Sequence, residues 1–287
     1  MCTLIVMHRH VPGVPLVVAA NRDEFFNRPA TAPSLWQHPN GKTILAPRDL
    51  HAGGTWLGLN SNGVLSALTN RPNPAPDETR RSRGLLVLDA LGFATAGKAA
   101  AAFESLRSDQ YNPFNLLVAD SREAFTVVCH EGVVKVVKLD AGVHVIGNAE
   151  PNDHGHSKTS RVFADATAVS SLQGDRVLEG LADVCRSHDG TDIDTGQFAP
   201  LAATCVHHPG FEHQEGSQRS SNGNQTTGYG TRSSILLRLS EDPEQHKLKH
   251  SEGAPCAHPY VDSTPLLHEL SRMASYNGEG SITRKSS

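Results

Sequence analysis

Short aliphatic runs, apolar at almost every position, recur along this chain: residues 3–7 (TLIVM), 16–20 (LVVAA), 114–119 (FNLLVA), 124–129 (AFTVVC), 133–137 (VVKVV), 143–146 (VHVI) and 235–239 (ILLRL). A strand with one wet face alternates apolar and polar residues, whereas a run without alternation is covered on both faces. The pattern therefore predicts layered sheets. Residues 55–69, with a Gly-Gly turn before them and Asn62-Gly63 inside them, read as a hairpin. Helical spacing is confined to residues 84–107, with Ser82 as N-cap and a break near Gly92, to 158–172 and to 176–186. Strands, helices, strands, helices and late strands in that order predict an α+β fold, not an alternating parallel one.

At 287 residues the chain is long enough for one large domain or two small ones, and 38% hydrophobic content suffices for a core. Twenty-six Lys and Arg against 30 Asp and Glu leave a net charge of −4, which excludes a generally basic nucleic-acid binder. No stretch approaches the ~18 consecutive apolar residues of a membrane span, so the sequence reads as a soluble chain. Five scattered cysteines make no disulfide framework and point to a reducing compartment. Residues 15–20 end like a signal-peptide cleavage site, but the apolar run starts at Met1 without a basic leader and is broken by His8-Arg9-His10 and two prolines. Two strands and a turn are the expectation there. Residues 207–228, rich in Gly, Ser, Asn, Gln and His, read as an exposed insertion. The organisation expected is one domain over 1–240 and a polar C-terminal tail over 241–287, with a short helix around 264–275.

Cys2 is the first residue with chemical promise. Its small side chain permits removal of Met1, which leaves an α-amine (reference pKa ~8) beside a thiol, and the amine then serves as the thiol's base. That arrangement requires a nucleophile at the accessible end of a strand, and the TLIVM run follows at once. Asn21-Arg22-Asp23-Glu24 closes the second strand. If residues 3–7 and 16–21 pair, this cluster lies near Cys2, where a carboxylate holds the amine and an arginine lowers the thiol pKa. Alternation places Asn21 and Asp23 on one face and Arg22 on the other.

Together with these segments, a longer set of motifs carries a resemblance. Met1-Cys2-Thr3-Leu4, Ala20-Asn21-Arg22-Asp23-Glu24-Phe25 with Arg28-Pro29, Trp36, Arg48-Asp49-Leu50 and Gly53-Gly54-Thr55-Trp56-Leu57-Gly58 belong to it. So do Leu68-Thr69-Asn70-Arg71, Ser82-Arg83-Gly84, Tyr111-Asn112-Pro113-Phe114-Asn115 and Tyr229-Gly230-Thr231-Arg232-Ser233-Ser234. In this order they resemble the NRDE family, the transport and Golgi organisation protein 2 group, over residues 1 to about 239. The resemblance implies a four-layer αββα sandwich of the Ntn-hydrolase type. It also implies a role in Golgi organisation, protein secretion and handling of haem or lipid metabolites. Further implications are a cytoplasmic location with peripheral Golgi or mitochondrial association, and a small-molecule or acyl-amide partner. Haem enters as a transported ligand, and no resident cofactor is expected.

A second resemblance is to choloylglycine and penicillin V acylases, which are cysteine Ntn amidohydrolases. It implies Cys2 as nucleophile, Asp23 near the amine, and Asn70 and Asn148 as amides shaping an oxyanion site. Those acylases carry an arginine three residues before the aspartate, where this chain has Ala20, and here Arg22 abuts Asp23 instead. Their late arginine matches either Arg161 or Arg232, the latter preferred because it opens an apolar strand. Sixteen histidines offer His8-x-His10, His154-x-His156, Cys205-x-His207-His208 and Cys256-x-His258, but none has a strong zinc spacing, and no metal is expected. Two readings stay open: a Cys2-dependent amidohydrolase cleaving a non-peptide C–N bond, and a non-catalytic ligand-handling protein on the same scaffold.

Overall fold

The computed structural model describes residues 2–172, 174–190, 201–208 and 228–279. The first two apolar runs form a hairpin, β1 (Thr3–Val11) and β2 (Val14–Phe25), around a turn in which Gly13 takes φ +70°. Thr3 lies opposite Asn21. β2 outruns its apolar stretch because its polar end is paired on the far side by β12 (Tyr229–Leu239), with Asp23 opposite Thr231 and Phe25 opposite Tyr229. The first sheet is completed by β10 (Gly142–Ile146) beside β1, and by β13 (Lys247–Glu252) and β14 (Val261–Asp262) beyond β12. A short β11 (His207–His208) joins the start of β12.

The second sheet is an antiparallel meander. It runs through β3 (Ser34–Gln37), β4 (Thr43–Ala46), β5 (Leu57–Asn60), β6 (Leu65–Asn70), β7 (Phe114–Ala119), β8 (Ala124–His130) and β9 (Val133–Leu139). The expected hairpin is β5–β6, which turns through Gly63 at φ +82°.

Side-chain alternation sorts the strands into layers. Leu4, Val6, Leu16 and Val18 from the first sheet meet Leu57, Leu65, Ala67 and Leu117 from the second in one inter-sheet core. The opposite face of the first sheet, with Ile5, Met7, Val17 and Ala19, is covered by α3 (Ser157–Ser170) and α4 (Arg176–Arg186). The outer face of the second, with Ile44, Phe114, Leu116 and Val118, is covered by α1 (Arg83–Leu91) and α2 (Ala96–Phe103). The central strands of both sheets are therefore dry on both sides, which is why their sequences do not alternate. Residues 133–137, expected to be covered likewise, lie in the edge strand β9 and are exposed or half-buried. The four-layer αββα sandwich is the observed fold. The break near Gly92 separates α1 from α2; Ser82 holds the N-cap position of α1 without a side-chain cap bond, whereas Thr95 caps α2 by accepting the Lys98 N–H at 3.2 Å.

The boundary expected at residue 240 is not where the fold ends. β13 pairs with β12 over six residues, and its Leu248 enters the inter-sheet core. α5 (Thr264–Glu279) plugs the same core with fully buried Leu267 and Leu270. Residues 247–252 read as tail because one apolar side chain among polar ones carries no periodicity, although His250 and Ser251 are also buried. Of the expected insertion 207–228, residues 209–227 lie outside the described residues, as do 280–287 of the tail. No helix among the described residues is long and apolar enough to cross a membrane.

Candidate active site

β1 runs between β10 and β2, so the end of the chain enters at an interior strand. Cys2 shares the inward-facing parity of Leu4 and opens onto a crevice between the sheets, bordered by Ala20, Trp56, Ala67 and Thr69. The crevice is narrow, about 10 Å³, which is room for roughly one water. The Cys2 Sγ lies 3.9 Å from the carbonyl oxygen of Asp23. Burial pushes its thiol pKa up, and the Arg22 charge opposes this only weakly.

The Asn21-Arg22-Asp23 segment alternates as expected. Asn21 turns toward the helices, where its Nδ2 donates to the carbonyls of Cys185 (2.9 Å) and Thr204 (3.0 Å). Asp23 is buried; its Oδ1 accepts the Thr231 hydroxyl at 2.6 Å and its carbonyl accepts the Tyr229 hydroxyl at 3.0 Å. Arg22 takes the inter-sheet face, its guanidinium 4.4 Å from the Trp56 ring centroid and 3.8 Å from the Glu24 carboxylate. Four buried polar atoms around this strand end lack a hydrogen-bond partner among the described residues: Thr3 Oγ1, Asn21 Oδ1, Arg22 Nη2 and Asp23 Oδ2. Such atoms are rare in folded proteins and each needs a reason. Burial raises the Asp23 pKa and lowers that of Arg22.

Lys158, in the first turn of α3, is a site residue the sequence reading did not single out. It is buried, its Nζ 3.5 Å from the Leu201 carbonyl. Burial lowers its pKa, while the charges of Asp23 and Cys2 raise it. Lys158 stands one helical turn before Val162 and two before Ala166 on the buried face, a position where a lysine is out of pattern. That mismatch was the available signal. Arg83 is the second addition: its guanidinium donates to the Pro113 carbonyl at 3.0 Å, and burial lowers its pKa against the opposing charges of Glu24 and Cys2.

The two asparagines, Asn70 and Asn148, are neighbours through one side chain and one backbone carbonyl, and neither borders the Cys2 crevice. Register pairing sets Leu4 opposite Ile146, so β10 runs toward Cys2 as it passes into Gly147 and Asn148. The Asn148 Nδ2 donates to the backbone carbonyl of Asn70 at the end of β6, and the Thr69 hydroxyl donates to that of Gly147. Asn115, fully buried on β7, locks this junction between the sheets. Its Nδ2 donates to the carbonyls of Gly147 (3.0 Å) and Ala149 (2.9 Å), and its Oδ1 accepts from Arg71 Nη1 at 3.1 Å. Arg71 in turn pairs with Glu150 at 2.9 Å.

The late arginines go elsewhere. Arg161 Nη2 donates to the Ala202 carbonyl at 2.6 Å. Arg232 sits where the β2–β12 register shifts, between Thr231 and Ser233, with its guanidinium 5.7 Å from the Phe26 ring centroid and its buried Nε unpartnered. Neither borders the Cys2 crevice. Other motif residues hold the scaffold: Arg28 pairs with Asp49 at 2.7 Å, and a Cβ on Gly54 would stand 2.5 Å from the Gly84 carbonyl carbon, so these chains pass only where a glycine stands.

Comparison with known proteins follows the same outline. A Transport and Golgi organization protein 2 homolog from Homo sapiens is 31% identical over 217 residues, covering 68% of this chain and 78% of that protein. The Bos taurus homolog is 38% identical over 141 residues, 47% of this chain and 50% of that one. Among solved structures, a Caenorhabditis elegans N-acylethanolamine-hydrolyzing acid amidase ortholog superposes with a TM-score of 0.52 at 14% identity, over 85% of this chain and 95% of its own. A penicillin V acylase from Agrobacterium tumefaciens gives 0.52 at 13% identity, over 93% and 88%. A single-residue variant of a conjugated bile acid hydrolase from Clostridium perfringens gives 0.51 at 12% identity, over 92% and 93%. At these identities the likeness is one of fold, the Ntn-hydrolase-type sandwich. The family described as Transport and Golgi organisation 2 matches residues 1–251, from the Cys2 strand end into β13. The chain belongs to that family.

Proposed function

We propose that the chain is a Cys2-dependent amidohydrolase of the N-terminal-nucleophile type, acting on small acyl amides. The observation that carries this reading is the set of buried polar atoms beside Cys2 that have no hydrogen-bond partner among the described residues, above all Asp23 Oδ2. Once Met1 is removed, that carboxylate oxygen is suited to hold the new ammonium or amine of Cys2. The amine takes the thiol proton, and the sulfur attacks the acyl carbon. Burial holds the proton on sulfur, so the amine must take it as the sulfur attacks, with the Arg22 charge a minor pull toward the thiolate. The carbonyl π electrons move to oxygen, where N–H groups of Asn70 and Asn148 stabilise the oxyanion; one such donor is typically worth ~10²–10³ in rate. Collapse expels the amine, which leaves with the proton held by the α-amine, and water then hydrolyses the thioester. Arg232 has no step in this sequence; its unpartnered Nε suits an anionic group farther along a substrate.

A second reading is favoured by one observation: the Asn148 side-chain amide is already engaged by the Asn70 backbone carbonyl. On it the sandwich binds haem or a lipid-like metabolite without turnover, in support of Golgi organisation and secretion from the cytoplasmic side of Golgi or mitochondrial membranes. The test is a panel of chromogenic acyl amides offered to the chain with its mature N-terminus. Amidase action gives a burst of released amine that Cys2→Ala abolishes. Absence of any burst, with haem or fatty-acyl affinity unchanged in Cys2→Ser, selects the binder and overturns the enzyme.

A further inference from the structure

Four side chains remote in sequence converge at the surface behind the Asn21–Asp23 strand: His188 just past α4, Cys205 and His207 leading into β11, and Cys256 in the turn after β13. Their donor atoms all lie within 4.8 Å of one another. His207 Nε2 is 3.0 Å from Cys256 Sγ and 3.6 Å from Cys205 Sγ, and the two sulfurs are 3.5 Å apart. The rings of His188 and His207 stand 5.2 Å apart, centroid to centroid.

The geometry points to a tetrahedral Cys2His2 zinc site built from His188, Cys205, His207 and Cys256, stapling three segments of the first sheet's outer layer. Zn–S bonds of about 2.3 Å and Zn–N bonds of about 2.0–2.1 Å put tetrahedral ligand atoms about 3.8 Å apart for two sulfurs and about 3.6 Å for sulfur and nitrogen. The Cys205–Cys256 and Cys205–His207 separations, 3.5 and 3.6 Å, are near those edges; His207 to Cys256, 3.0 Å, is shorter and opens on binding, and His188 lies within the same 4.8 Å. Thiolate with imidazole suits zinc, and two sulfurs exclude a site designed for magnesium or calcium. Four protein ligands close the coordination shell, which marks a structural site and not a catalytic one.

The surroundings fit. Cys205 and His207, two apart on an extended segment, point to the same side. Only Cys205 is buried; His188, His207 and Cys256 are exposed, so an ion has a path in. The backbone is fixed from both sides: Cys205 N–H donates to the Ser187 carbonyl at 2.9 Å, and Arg186 Nε donates to the Pro255 carbonyl at 3.2 Å. The stapled segment also backs the candidate active site, because the Thr204 carbonyl accepts from Asn21 and the Val206 N–H donates to Thr231 Oγ1, the hydroxyl that serves Asp23.

The test uses the untagged full chain, purified under reducing conditions without chelator. Elemental analysis is expected to find about one zinc per chain. Cobalt(II) added to the stripped chain is expected to give the intense visible bands of tetrahedral coordination and sulfur-to-metal charge transfer, both bleached by zinc. Cys256→Ser, at an exposed position, is expected to weaken cobalt binding by more than about 100-fold, more than a second-shell change does. Cys129→Ser, on the second sheet, is expected to leave it unchanged. Zinc far below one per chain with an octahedral cobalt spectrum overturns the proposal, as does uptake indifferent to Cys256→Ser. A disulfide joining Cys205 to Cys256 in the reduced preparation also overturns it.

Discussion

Replacing Asn115 by alanine tests whether the two sheets are tied together at the candidate site. Its amide nitrogen makes hydrogen bonds of 3.0 and 2.9 Å to the Gly147 and Ala149 carbonyls, and its oxygen accepts from Arg71. A neutral hydrogen bond contributes about 0.5–1.5 kcal/mol, and one to a charged group about 1.5–3 kcal/mol. Arg71 keeps the Ala149 carbonyl and Glu150 as partners, so its share is discounted. The sum is a loss of about 2–4 kcal/mol, a large part of the ~5–15 kcal/mol that holds a typical domain. Urea unfolding monitored by tryptophan fluorescence measures it, with an unchanged m-value marking a change in the folded state alone. Because the released loop carries Asn148, turnover is expected to fall with stability. A variant within about 0.5 kcal/mol of the parent refutes the claim that Asn115 organises this junction.

Other expectations are as direct. Leu267→Ala, in a helix outside the domain expected from sequence but fully buried, should cost about 2–5 kcal/mol in the same urea experiment; a cost below about 0.5 kcal/mol would place α5 outside the folded unit. Burial raises the Asp23 pKa, so just above the ordinary carboxylate range the folded chain keeps a proton that the unfolded chain has lost. Stability of the parent therefore falls as pH rises through that window, and the stability of Asp23→Asn relative to the parent should rise with pH there. Urea titrations at several pH values check the slope, and a difference that is flat or falling contradicts the burial argument.

Much of the architecture was legible because the central strands are dry on both faces: strands such as residues 114–119, buried at every position, cannot hide among polar residues. The break between α1 and α2 was visible for a similar reason, since Gly92 interrupts a strongly helical run. What escaped was polar in composition but buried in fact. The strand Lys247–Glu252 contributes one leucine to the core, and the four-residue strands β3 and β4 are too short for a period to declare itself. At the site, alternation alone placed Arg22 opposite to Asn21 and Asp23, and the hairpin brought them to Cys2. Lys158 was passed over because a lysine counts as solvent-facing in any hydrophobic pattern, although it occupies the buried face of α3. The late arginine was beyond sequence reasoning: the register shift around Arg232 changes which side of β12 it faces. Cys205, His207 and Cys256 stand among the candidate ligands in the sequence but lack a strong zinc spacing, since with His188 they become neighbours only when the end of α4, the entry to β11 and the turn after β13 fold together.

The account turns on whether the chain begins at Cys2 when mature. Intact-mass measurement of the protein purified from its own cells answers this directly. The proposal predicts a mass lower by one methionine residue, with Cys2 carrying the free α-amine; retention of Met1 on the working protein would contradict it, because no amine would then stand beside the thiol.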